Sequence, residues 1–164
     1  TYLGPIRAYS TKIKSLKELK SGDKVSVPND AANEGRALNL LAQEKVIKLK
    51  AGVASPSTAD ITENKLNLKI VPLDSAQTAR SMGDVAAAVV HNDIAAAAKL
   101  KVKDSIAVEK ITDKSSPYIN FISAKSAKDK KNKTYQKIVK AYQTKQTAKL
   151  MKKVYKGTTV PAWK

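Results

Sequence analysis

The stretch PNDAANEGRAL, residues 28–38, gathers side chains suited to holding a small polar ligand. Arg36 is one of three arginines (Arg7, Arg36 and Arg80) among 31 basic residues. A guanidinium fork meets a planar carboxylate through two parallel hydrogen bonds, and Asn29 and Asn33 add donors and acceptors beside it. The same residues also fit a helix start. Asn29 or Asp30 would cap it, Asn33 and Glu34 would sit in its first turn, and ALNLL would bury its inner face. The two readings are compatible, because a helix N-terminus exposes unpaired N–H groups and a positive dipole end.

Much other chemistry lacks its residues. Neither GxGxxG nor GxxxxGK[ST] occurs, and the chain has only six glycines. No GxSxG elbow is present. His91 is the only histidine and cysteine is missing, so multi-histidine and thiolate metal sites, cysteine nucleophiles and disulfides are excluded within these residues. Asp84 and Asp93 read as caps, and no metal or cofactor is expected. The site needs donors and acceptors rather than a tuned acid or base, so a binding function is expected and an enzyme is not.

Such groups need strand ends to carry them. VSVP at 25–28 reads as a strand, EGRALNLLAQEKVIKL at 34–49 as an amphipathic helix, and LKIVPL at 68–73 as a second strand. ITENKL reads as a short helix and AQTARSM at 76–82 as another. DVAAAVV at 84–90 is a third, central strand, followed by a helix over 92–100. SIAVEK at 105–110 and YINFISAK at 118–125 read as further strands. From Lys128 to about Tyr155 the chain is predicted helical, in two pieces broken near Lys145–Gln146, with Gly157 and Pro161 ending it. Alternating strands and helices imply an α/β fold with an open, mostly parallel sheet. Such sheets bind ligands beyond the carboxyl ends of their strands. Asn29, then Asp74 and Ser75, then His91 and Asn92 follow three strand ends in turn.

The 164 residues suffice for one ordinary domain or two small lobes, and an apolar content of 42% supports a real core. No 18-residue apolar run is present. Net charge is +17, but 28 of the 31 basic residues are lysine. Base reading and bidentate phosphate clamps favour arginine, so specific nucleic-acid binding is not expected. A spread lysine coat instead attracts anionic surfaces, including cell-surface polymers, without specificity.

The stretches YSTKIKSLKELKSGDKVSVPNDAANEGRALNLLAQEKVIKLKAG, DITENKLNLKIVPLDSAQTARSMGDVAAAVV, SPYINFISAK and IVKAYQTK resemble the methionine-binding substrate proteins of bacterial ABC importers, the NlpA-type lipoproteins. The resemblance runs through nearly the whole chain. It implies a periplasmic-binding-protein-like, type II fold whose two lobes close on a ligand. On that basis residues 1–22 would be a connector and part of the first lobe. Residues 23–113 would be a complete second lobe, and 114–164 the return crossover and C-terminal helices of a partial first lobe.

Function and site residues follow from the same resemblance. It implies an extracytoplasmic binding subunit that delivers methionine, or a related amino acid or short peptide, to an ABC permease with a separate ATPase. A lipidated cysteine upstream of Thr1 would anchor it at the cell surface or in the periplasm. Arg36 matches the family arginine that pairs with the ligand carboxylate, and Asn120 matches an asparagine that hydrogen-bonds the ligand's amino-acid end. Asn29 and Asn33 would be architecture beside the site. The chain departs from the family in VVHNDIA: His91 stands where a ligand-contacting asparagine belongs, with Asn92 as the residue that could take its role, and Ile94 replaces a tyrosine. The alternative is a cationic, surface-associated adhesive or structural module with a degraded site. Without the first lobe's early strands, pairing with itself or with a first-lobe segment is expected.

Overall fold

The structure, a computed structural model, describes residues 1–111 and 118–163. It divides into two compact units, Pro5–Lys110 and Thr1–Gly4 with Ile111–Lys164. The first is larger and contains the sheet.

That sheet has five strands. In chain order they are β2 (Arg7–Tyr9), β3 (Lys24–Pro28), β6 (Lys69–Leu73), β7 (Ala87–Val90) and β8 (Ser105–Val108), arranged β6-β3-β7-β2-β8. Strand β3 runs parallel to β6 and β7, whereas β2 lies antiparallel between β7 and β8. Four strands therefore point one way and one points back, which makes the sheet mixed but mostly parallel. The reversed strand is RAY, whose three residues carry no pattern long enough to announce a strand. It also moves the expected start of the sheet lobe. The compact unit begins at Pro5 rather than residue 23, because β2 is an internal strand. The expected boundary at 113–114 lies outside the described residues.

Period-two alternation divides the core between the two faces of the sheet. Ala8, Val25, Val27, Ala87 and Val89 join one cluster with Leu38, Leu41 and Leu68. Tyr9, Ala88 and Val90 join Val85 and Ala95 in the other. Helix α1 (Asn33–Gln43) covers the first face, burying Ala37, Leu38, Leu40 and Leu41. Each such leucine contributes about 1.5–3 kcal/mol by leaving water. On the second face the short helices α2 (Ser75–Arg80) and α3 (Asn92–Ala97) pack. Ser26, fully buried on β3, is satisfied by the Ser81 hydroxyl at 2.8 Å.

Two predicted elements differ. The helix expected to reach residue 49 stops at Gln43. Lys45 adopts a left-handed φ of 61°, and the Val46 N–H donates back to Leu41 O at 2.9 Å. This closing bond satisfies a terminal carbonyl without the usual glycine, so nothing in the sequence flagged it. The chain then forms strand β4 (Lys48–Leu49). ITENKL is not a helix: Ile61–Glu63 forms strand β5, paired antiparallel with β4. Its β-branched Ile and Thr suit an extended backbone once a partner strand is present.

The smaller unit pairs β1 (Tyr2–Leu3) with β9 (Val160–Pro161) and carries helices α4 (Lys133–Tyr142) and α5 (Lys145–Tyr155). Asn132 caps α4 through the Thr134 and Tyr135 N–H groups, and Thr144 caps α5 through that of Thr147. These caps put the break between the helices at Gln143–Thr144. YINFISAK is not a regular strand. Asn120 makes a single bridge to Tyr2, and Phe121 is 77% exposed. A strand needs a neighbour for its backbone groups, and here that neighbour is one residue long.

Candidate functional site

Five side chains gather at one edge of the large unit's sheet, where β3, β6, β7 and β8 end and β2 begins. Asp30 follows β3, Ser75 follows β6, His91 follows β7 and Glu109 follows β8. Arg7 opens β2, in register with Val90 and Val108. Arg36 reaches the same groups from the first turns of α1.

Arg36 is the centre of the network and is 4% exposed. Its Nε donates to Glu109 Oε1 at 3.1 Å and its Nη2 to Glu109 Oε2, a bidentate pair. A buried cation needs such a partner, because desolvation costs several kcal/mol per ion. The nearby acids Glu34 and Asp30, which sequence proximity suggests as partners, are used elsewhere. Glu34 accepts from the Thr58 N–H at 3.2 Å. Asp30 accepts from the Asn33 backbone and side chain at 3.0 Å and from the Ser75 hydroxyl at 2.7 Å. Asn33 in turn accepts from Arg36 Nη1 at 3.4 Å. One chain of hydrogen bonds thus runs Ser75–Asp30–Asn33–Arg36–Glu109 across three strand ends.

The electrostatics fit this placement. Partial burial alone would raise the Asp30 carboxyl, but the hydrogen bonds from Ser75, Asn33 and Ala32 outweigh it and hold the group below the usual carboxylate range. His91 is pushed down chiefly by burial. The Asp93 carboxylate opposes that shift, the Arg36 cation adds to it, and Asp30 and Glu109 oppose it more weakly. Its Nδ1 accepts from the Asp93 N–H at 3.4 Å as the cap of α3, so the neutral ring carries its proton on Nε2. Burial lowers Arg7 too, against the pull of Tyr9 and Glu109, and Arg7 Nη1 donates to Pro5 O at 2.9 Å.

The sequence candidates separate accordingly. Arg36, Asn33 and His91 belong to this edge. Asn92, 6% exposed, is the first residue of α3 and bonds Asp93 at 3.5 Å. Asn29 is exposed, and its backbone N–H donates to Leu73 O at 2.8 Å. Asn120 lies in the smaller unit, where its backbone bridges Tyr2 and its side chain is exposed. Sequence reasoning missed Glu109 and Arg7. One clue was available: Glu109 is an acid closing an apolar strand in a chain with only 14 acids.

A cluster of opposed charges at the carboxyl edge of a mostly parallel sheet can hold a small polar molecule without transforming it. Comparison with known proteins agrees with this architecture. Over 168 residues the chain is 45% identical to the D-methionine-binding lipoprotein MetQ of Salmonella typhi, covering 99% of this chain and 60% of the relative. The Escherichia coli K12 protein of the same name is 44% identical over the same span. The chain therefore spans about three fifths of these relatives' length. A solved nutrient-binding protein from Burkholderia cenocepacia, bound to methionine, is 46% identical with a TM-score of 0.85; the match covers 99% of this chain and 68% of that one. The substrate-binding protein of a methionine transporter from Streptococcus pneumoniae is 38% identical with a TM-score of 0.84, covering 99% of this chain and 66% of that one. The family model described as NlpA lipoprotein matches residues 1–163, and the chain belongs to that family.

Proposed function

We propose that this chain forms part of an extracytoplasmic, lipid-anchored binding protein that captures methionine, or a closely related amino acid or short peptide, for an ABC permease. It performs no chemistry on its cargo. The observation that carries this reading is the balance of charge at the sheet edge. Arg7 and Arg36 stand against Asp30 and Glu109, with a neutral His91 among them. A zwitterionic amino acid brings one charge of each sign and no net charge. Such a site can match both ends while leaving neither of its own ions unpaired.

Within this reading Arg36 receives the ligand carboxylate, His91 donates through Nε2–H to a ligand oxygen, and Asn33 trims the position of the guanidinium. Asn92 and Asn29 shape the surroundings. The methionine-binding relatives support the choice of cargo, while the His91 and Ile94 replacements leave room for a neighbouring amino acid.

Titration calorimetry of the native-length protein against free amino acids and dipeptides tests the proposal. One amino acid, methionine foremost, should bind with clear preference. Arg36→Ala should weaken that binding by roughly 1.5–3 kcal/mol, the range for a charged hydrogen bond. Failure to bind any member of the panel would overturn the reading.

A further inference from the structure

We infer that Glu109 is a positioning residue for Arg36, and that it ties the arginine to both places where the chain passes between its compact units. This rests on the reading that Arg36 meets a ligand carboxylate. Glu109 is the penultimate residue of the large unit and Ile6 its second. The Ile6 N–H donates to Glu109 Oε2 at 3.1 Å, and the Glu109 N–H donates to Ile6 O at 3.0 Å. The carboxylate oxygen that takes Arg36 Nη2 is therefore pinned by the incoming strand, while its own backbone is the outgoing one.

Helix α1, which carries Arg36, is laced to that outgoing strand a second time. Gln43 Nε2 donates to Val108 O at 3.1 Å, and the Lys110 N–H donates to Gln43 Oε1 at 2.8 Å. The guanidinium plane is thus set from a rigid frame. Its Nε–Nη2 edge belongs to Glu109, and its Nη1 donates to Asn33 Oδ1 at 3.4 Å. Preorganisation of this kind avoids fixing a rotamer-rich side chain at the moment of binding.

Calorimetry on the native-length protein separates this role from simple stabilisation. The probes are L-methionine and L-methioninol, which lacks the carboxylate. Glu109→Gln should lose on the order of tenfold or more in affinity for methionine and change little for methioninol. Arg36→Ala/Glu109→Gln should bind methionine as weakly as Arg36→Ala alone, since Glu109 acts through the arginine. Glu109→Asp keeps the charge but shortens its reach, and should show the same selective loss in a chain whose melting stays close to that of the parent. Unchanged methionine affinity in Glu109→Gln, an equal loss for both probes, or additive losses in the double variant would overturn this inference alone. A parent protein that binds neither probe would overturn the transport reading and this inference with it.

Discussion

The two compact units use the same ingredients to different ends. In Pro5–Lys110, strands and helices bury their apolar faces completely: Val25, Val27, Leu38, Leu41 and Val89 are all inaccessible to solvent. In the smaller unit, α4 and α5 are just as amphipathic, yet Met151 is their only buried residue. Ile138, Leu150 and Val154 are more than half exposed. A hollow of ≈ 930 Å³ there is lined by Phe121, Ile122, Tyr135, Ile138 and Val139 together with Lys125, Asp129, Lys130 and Lys140. An amphipathic pattern specifies that a helix has an inner face. It does not specify what that face meets.

The sharpest break in that comparison is a truncation in each unit. Leu41→Ala should cost about 2–5 kcal/mol in denaturant unfolding, because its cavity lies in a closed core. Ile138→Ala, 53% exposed, should stay within about 0.5 kcal/mol. A comparable cost at both positions would mean that α4 is covered in solution.

Gly35 tests how tightly α1 is seated. A Cβ there would meet Pro56 Cδ at 3.1 Å and the Pro56 backbone N and O at 3.2 Å. Overpacking costs about 1–3 kcal/mol, and the helix-propensity gain of alanine returns up to about 1 kcal/mol. Gly35→Ala should therefore lower the unfolding free energy, whereas a rise would show that the loop carrying Pro56 yields easily.

A smaller effect is expected from pH. His91 is held below its ordinary value in the folded chain, so between that lowered value and about 6.5 the unfolded chain binds more protons. Stability should rise with pH through that window and fall as pH drops through it. His91→Asn should flatten this part of the profile in denaturation experiments, and an unchanged slope would assign it to another group. Smallest of all, Lys48→Ala should leave the melting temperature unmoved, because the Lys48–Glu63 pair at 2.8 Å is exposed and screened.

What could be read from the chain alone follows from local physics. Apolar runs and terminal polar residues placed β3, β6 and β7, and with them the strand-end positions of Asn29, Ser75 and His91. The arginine in NEGRAL was legible because its type is rare here and its chemistry specific. The left-handed turn at Lys45 was hidden, since a lysine there carries no mark of it. So was the strand Ile61–Glu63, which exists only through its pairing with Lys48–Leu49. The reversed strand Arg7–Tyr9 needs two neighbours from residues 87–90 and 105–108, contacts of long sequence separation that no local pattern encodes. Arg36 finds Glu109 in the same way, across 73 residues. Burial made that partner obligatory, and only the closed sheet edge decided which of the 14 acids would fill the role.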